Sequence, residues 1–435
     1  MEWWHVLLLF LGGLIAVLAT GFPVAFSFLL VNSIGLYALM GTPGLFNMSV
    51  SIFSSLCSFT LIPVPLFILM GELMFHSGIA DNAIKVIDMW LGRLPGRLSL
   101  VASLCGVIFA ATSGSTMANT AMLGSILVPE MRKRGYSIAM SVGPILGVGG
   151  LAMLIPPSAM AVIMATVAQL SVSKILVAGV IPGLAIGVII CAYIILTAVF
   201  NPAAAPRFAA ERIPLARKLA FAVRHLIPIA FIIFMVIGLI LLGVATASEA
   251  AASGTVAAFL VALLERKASF QVVKRSLMGT TSVTVMVFMI IAAAKSFSSI
   301  LAFTGATNGL FSFVERLNMA PMMVIVFMQI IVLFMGTFME SMSIILISIP
   351  VFLPIAARLG FDPIWFATLM LLNIEVGQIT PPFGMLLFVM KGVTPPDVGL
   401  HEVILSAVPY IFITLAAMGL TMAFPAMALW LPSLV

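Results

Sequence analysis

Apolar stretches of about 17–25 residues follow one another from one end of this chain to the other, each long enough to cross a hydrocarbon core as a helix. Composition removes the alternative of a soluble core. Of 435 residues, 63% are hydrophobic and 8% charged, with a mean hydropathy of +1.28, whereas soluble proteins carry about 25% charged residues. The chain reads as an all-α, polytopic membrane protein with no polar segment long enough for a separate soluble domain. The opening, MEWWHVLLLFLGGLIAVLATG, lacks the basic leader of a signal peptide, and Trp3 and Trp4 suit an interfacial anchor, so it reads as a retained first span. Cys57, Cys105 and Cys191 stand in apolar context without a CxxC pattern and read as small packing residues.

Spans are expected at 3–21, 22–41, 61–78, 136–170, 175–199, 227–243, 247–264, 277–301, 362–392 and 404–430. Two of them contain proline pairs, in LAMLIPPSAM (Pro156, Pro157) and QITPPFGM (Pro381, Pro382). Proline lacks the N–H a helix needs, and it disfavours helix geometry in the residue before it, so both spans should break there. Two further apolar segments are too long for one helix and carry a polar centre. These are 98–131, interrupted at ATSGSTMANT, and 321–357, interrupted at GTFMESMS. Each reads as a hairpin that enters the membrane and returns on the same side. The polar, amphipathic stretches 79–97 and 304–320 read as surface arms bracing the hairpins.

The two halves match in order. Pro156 and Pro157 precede Pro381 and Pro382 by 225 positions, and VPEMRKRGY falls on LPIAARLGF at the same offset. With a two-residue gap, HSGIADN meets FTGATNG. Ordered matches of this kind indicate duplication. Each half then has five crossings plus one re-entrant hairpin. Five is odd, so the second half runs inverted, the arrangement of secondary transporters with broken helices. The expected organisation is a first repeat over 1–200, a basic cytoplasmic linker over 201–226 and a second repeat over 227–435. If the linker, with Arg207, Arg212, Arg217, Lys218 and Arg224, is cytoplasmic, most of the Lys and Arg residues, Arg93 among them, fall inside. Lys174, Arg316 and Arg358 lie outside, and Lys295 lies within a span. The net charge of +6 then follows the positive-inside rule, and both termini are periplasmic.

Unpaired backbone groups in hydrocarbon cost several kcal/mol each, so such breaks persist only inside protein or along an aqueous cavity. Half-helix N-termini suit anions, and unwound carbonyls suit a small cation such as Na⁺. The first tip supplies Ser113, Gly114, Ser115, Thr116, Asn119 and Thr120, uncharged oxygens suited to a sodium shell. The second supplies Gly336, Thr337, Glu340, Ser341 and Ser343, facing Gln378, Thr380, Pro381 and Pro382. Glu340 and Glu375 are intramembrane carboxylates able to bind a cation, carry a proton or fix the fold. Lys295 wants a carboxylate partner or an anionic substrate, and Glu249 reads as structural. No G-x4-G-K-[ST] or HExxH occurs, which argues against ATP hydrolysis and metalloprotease chemistry and for an ion gradient as energy source.

The segments TGFPVAFSF, IPVPLFILMGELMFHSGIAD, SGSTMANTAMLGSILVPEMRKRGY, LIPPSAMAVIMA, LVAGVIPGL, ATASEAAA and VGQITPPFGMLLFV together resemble the large membrane subunit of TRAP (tripartite ATP-independent periplasmic) transporters over nearly the whole chain. Ala247 departs from the family's ATPTEAA-like pattern, and Lys295 stands where an uncharged residue is expected. The resemblance implies an elevator-type ion-transporter fold in the bacterial inner membrane. It also implies a small four-helix membrane subunit and a periplasmic substrate-binding protein as partners. Import of a small organic acid anion (a dicarboxylate, sialic acid or other sugar acid) would be driven by Na⁺, with no organic cofactor. Carried over by position, one sodium site would join Ser113, Gly114, Ser115 and Asn119 to Leu154 and Pro156. A second would join Gly336, Thr337, Glu340 and Ser341 to Thr380 and Pro382. Substrate would meet Thr116, Ser158, Lys295, Ser343 and Gln378 between the tips. The alternative is a stand-alone Na⁺/carboxylate symporter that needs no binding protein.

Overall fold

The computed structural model describes residues 3–79, 81–92, 94–206, 214–316 and 318–435, apart from the side chains of Asp81, Thr112 and Ser113. Arg93, Arg207, Arg212 and the Ser113 side chain therefore lie outside the described residues. Among those described, secondary structure is helical throughout. The chain begins with α1 (Trp3–Ala19), α2 (Val24–Met40), α3 (Thr42–Leu56), α4 (Pro63–Ser77) and the short amphipathic α5 (Asp81–Leu91). The pair α6 (Arg97–Ser113) and α7 (Thr116–Lys133) follows, then α8 (Ile138–Gly149), α9 (Ala159–Ala168) and α10 (Val172–Phe200). The rest comprises α11 (Leu215–Leu241), α12 (Ala247–Leu264), α13 (Phe270–Phe303) and the second short amphipathic helix α14 (Ala306–Arg316). After it come the pair α15 (Pro321–Gly336) and α16 (Ser341–Arg358), then α17 (Pro363–Ile379), α18 (Met385–Val393), α19 (Leu400–Ala423) and α20 (Ala426–Leu429).

Among the described residues, seven helices are long and apolar enough to cross a membrane, among them α10, α11, α12, α13, α16 and α19. Helix starts follow side-chain chemistry. Ser137, Ser171 and Ser269 accept from backbone N–H groups in the first turns of α8, α10 and α13, and Asp362 does so for α17. Glu249 forms a reciprocal cap with Thr246 at the start of α12, its Oε2 accepting from Thr246 N at 2.8 Å. Its role is therefore to end a helix cleanly.

Two elements differ from expectation. Residues 42–56, which fall between the expected spans 22–41 and 61–78, form a helix. Pro43 sits in the first turn, where its missing N–H costs nothing. Residues 215–226, read as part of the polar linker, are already helical, because Leu215, Leu219 and Leu226 space an apolar stripe between Arg217, Lys218 and Arg224.

The helices pack in two groups. In one, α4 lies against α12 and α13, and α13 also carries α2 and α3. Small residues allow this close approach: Ala250, Ala251, Gly254, Ala257 and Ala258 line the buried face of α12. Thr255 Oγ1 donates to the Leu66 carbonyl at 2.9 Å, and Asn32 Nδ2 to that of Ala293 at 2.8 Å. In the other group, α8 lies against α6, α7 and α19, while α17 lies against α15, α16 and α19. Residues 140–149 of α8 and 365–379 of α17 are buried without interruption. Both short amphipathic helices are tied to the pair that follows. Arg97 of α6 forms a bidentate pair with Asp88 of α5 at 2.6 Å. Arg358 of α16 bonds Asn308 of α14 and lies 4.9 Å over the Phe311 ring.

Candidate functional site

The two long apolar segments with polar centres fold as helix pairs whose connections are two to four residues long. At the first, Gly114 takes a left-handed conformation (φ 59°), and Ser115 caps α7 by accepting from Ala118 N at 3.3 Å. This tip rests on the interruption after α8. A Cβ on Gly114 would lie 3.1 Å from the Pro157 carbonyl oxygen. That interruption consists of a 3₁₀ turn, Gly150–Met153, and an unwound stretch through Leu154, Pro156 and Pro157, with the Pro156–Pro157 bond cis. Ser158 closes it. Its Oγ donates to the Met153 carbonyl at 2.7 Å and accepts from Ala161 N at 3.1 Å, so it starts α9.

Asn119, buried, binds the same region. Its Nδ2 donates to the carbonyls of Gly106 (3.2 Å) and Val148 (3.4 Å), while its Oδ1 has no partner among the described residues. Thr116 and Thr120 are buried beside it, and Thr120 Oγ1 is also unpartnered. Thr120 fills the space a side chain on Gly149 would need.

The second tip, 337–340, meets the second interruption in the same way. The Phe383 amide donates to the Thr337 carbonyl at 3.2 Å. Gly336 and Gly377 pack backbone to backbone; a Cβ on either would stand 2.9 or 2.7 Å from the other's Cα. Glu340 caps α16, its Oε2 accepting from Met342 N (3.0 Å) and Ser343 N (3.4 Å). Gln378 Nε2 donates to Ser341 Oγ at 2.7 Å, and its Oε1 is buried without a partner. Ser343 is buried in the first turn of α16. Thr380 Oγ1 donates to the Val376 carbonyl at 2.7 Å, and Gly384 folds back over the Gln378 and Thr380 carbonyls to start α18. The Pro381–Pro382 bond is cis, as at the first interruption, and Pro382 is exposed.

Glu375 lies between the two junctions. It is fully buried, neither carboxylate oxygen has a hydrogen-bond partner, and its side chain packs on Gly150 of the first interruption. An unpaired ionised carboxylate in such a place is costly, so the group calls for a proton or a cation held with it. Buried acceptors without partners also occur at Asn32 and Asn373; those of Asn119 and Gln378 stand where a tip meets an interruption.

Lys295 lies elsewhere. It lines a cleft of about 250 Å³ with Ser54, Thr60, Thr166 and Gln169, and no tip residue contributes to that cleft. Glu72 of α4 pairs with His76 at 3.1 Å. A second cleft, about 800 Å³ and mostly apolar, runs between α1 and the α15–α16 pair, with Glu340 and Ser343 on its wall. Sequence reasoning brought tip and interruption together in each half. It missed Gly149, Gly150 and Gly377, whose role is contact rather than chemistry and leaves no polar signature.

Comparison with known proteins gives the family and the fold. Residues 11–427 match the family model of the tripartite ATP-independent periplasmic transporter DctM component. The C4-dicarboxylate TRAP transporter large permease protein DctM of Pseudomonas aeruginosa is 34% identical, with 89% of each chain covered. The sialic acid TRAP transporter large permease protein SiaM of Vibrio cholerae is 28% identical over 97% of each. In fold, the chain is similar to the Neisseria gonorrhoeae efflux pump MtrF, at TM-score 0.64 and 13% identity over 90% of this chain and 85% of that one. These relatives are permease subunits rather than enzymes, and this chain belongs to the DctM family, the large permease component of TRAP transporters.

Proposed function

We propose that this permease imports a small organic acid anion, a dicarboxylate, sialic acid or another sugar acid, using an inward sodium gradient. In this reading the substrate is handed over by a periplasmic binding protein, and a small four-helix membrane subunit completes the assembly in the bacterial inner membrane. Both termini face the periplasm. The relatives' substrates, a C4-dicarboxylate and sialic acid, support the substrate class.

The observation that carries the reading is the repeated junction of a helix-pair tip with an interrupted helix, each holding a buried amide oxygen without a partner. Buried polar atoms are almost always satisfied, and at Asn119 and Gln378 the orphan oxygen coincides with an interrupted helix, which supports a bound group there. Asn119 Oδ1, the Ser115 hydroxyl and the backbone at Gly114, Leu154 and Pro156 would hold one Na⁺, with Ser113 completing the tip. Gly336, Thr337, Ser341, Thr380, Pro382 and Glu340 would hold the second. Thr116, Ser158, Ser343 and Gln378 then face the substrate, and Gln378 Oε1 can accept from a substrate hydroxyl. The sodium charges offset the substrate carboxylate, whose unpaired transfer into a low-dielectric interior is costly.

The α6–α9 and α15–α18 elements would move as one block in an elevator motion against a scaffold of α1, α2, α11 and α12, with α5 and α14 as arms of two inverted repeats. Ligands shift such an equilibrium only by binding its states differently, so coupling requires that the loaded block cross and the half-loaded one not. The test is uptake of labelled succinate and N-acetylneuraminate into liposomes holding the chain and its small subunit. Uptake needing both a sodium gradient and the binding protein is expected. Sodium-driven uptake without the binding protein would instead establish a stand-alone symporter.

A further inference from the structure

The Lys295 cleft has a composition and a place that the tip chemistry does not use. Its polar lining comes from both helix groups: Ser54 from the last turn of α3, Ser58 and Thr60 from the α3–α4 connection, Lys295 from α13, and Thr166 and Gln169 at the end of α9. Lys295 is the one formally charged residue among those lining it, and no acidic residue contributes. Among the described residues Lys295 makes no ion pair. One cation surrounded by neutral hydroxyl and amide groups, with its charge uncompensated, is a setting for an anion. A cleft of about 250 Å³ equals roughly eight water volumes and admits one small organic acid.

Position gives this anion site its meaning. Thr166 is eight residues beyond Ser158 on α9, and Pro350, also on the cleft wall, is nine beyond Ser341 on α16. At 1.5 Å per residue, both helices carry the cleft about 12–14 Å away from the tips. The two helices therefore lead from the junctions to the same cleft. We infer that the cleft is a receiving site, where Lys295 takes the carboxylate of the incoming organic anion before it reaches the tips. This rests on the proposed import of an organic acid, and on the proposed orientation the cleft lies on the periplasmic side. Because its walls belong to both groups of helices, relative movement of the groups would take the site apart and release the anion.

The alternative is a lysine that merely extends its stem along apolar surface toward water. Two measurements separate the two. In the complete reconstituted transporter, Lys295→Gln should raise the KM for succinate or N-acetylneuraminate tenfold or more, leaving the sodium half-saturation unchanged. Lys295→Arg should stay within about threefold of the parent. An unchanged KM in Lys295→Gln overturns the inference, as does a parallel shift in sodium half-saturation, which would put Lys295 in the cation machinery.

The second reads the cleft without transport. With Cys57 and Cys191 replaced by Ser, Thr60→Cys should favour an anionic over a cationic methanethiosulfonate reagent at least tenfold, each rate taken relative to that reagent's rate with a free thiol, and Lys295→Gln should abolish the preference. Absence of that preference with Lys295 present overturns the inference even if Lys295→Gln does not reach the membrane. Failure of all sodium-driven uptake in the parent, with the reagent preference intact, would count against the proposed function and leave the anion site standing.

Discussion

At the residue scale, the candidate site is built by side chains that fill spaces left by glycine. Thr120 Oγ1 occupies the position of a Gly149 Cβ, and the Glu375 side chain that of a Gly150 Cβ. Overpacking of this kind costs about 1–3 kcal/mol, and the obstructing atom at Gly149 is a side chain that can be removed. Gly149→Ala should therefore lower thermal stability and uptake together. The double variant with Thr120→Ala should recover most of the stability, since the Thr120 Cβ itself stands 3.4 Å from the added atom. Melting curves of the two single variants and the double one check this. Additive losses would mean that the contact is not what limits Gly149. Little of this was legible in the sequence. Asn119 and Gln378 announced themselves as polar residues in apolar segments, but a glycine within Gly-Val-Gly-Gly carries no sign of which side chain lies over it.

At the scale of elements, the second junction depends on backbone meeting backbone. Gly336 ends α15 and Gly377 stands in the last turn of α17, each within 3 Å of the other's would-be Cβ. No side chain can retreat to make room. Gly336→Ala and Gly377→Ala should each reduce sodium-driven uptake at least tenfold, and no change in neighbouring side chains should restore it. A variant of either with near-parental uptake would show that the tip does not need this approach.

The helix pairs and the interruptions were legible because proline pairs and polar centres inside apolar runs have few physical explanations in a membrane. Residues 42–56 were not, since Thr-Pro-Gly followed by serines gives the signals of a connection. A helix there is decided by packing of Met48 and its neighbours against α2 and α13, which the local sequence does not record. Glu340 carries a second role that the sequence did not show: its Oε2 caps α16.

At the scale of the whole molecule, the two groups of helices share one buried apolar core, and clefts open between them. The cleft beside α1 and the Lys295 cleft both lie between residues of one group and residues of the other. This division suits relative movement of the groups. The tight tip–interruption junctions lie within one group and would travel intact. The account therefore requires that sodium binds inside that group, independently of substrate and partners. A ligand that binds only the folded state stabilises it, by about 2.7 kcal/mol at a hundred times its Kd.

The most direct measurement is the melting temperature of the purified chain in sodium chloride and in potassium chloride of equal strength, for the parent and for Asn119→Ala. The account predicts a higher melting temperature in sodium for the parent, saturating with concentration, and a reduced sodium shift in Asn119→Ala. Equal melting of the parent in the two salts would contradict it.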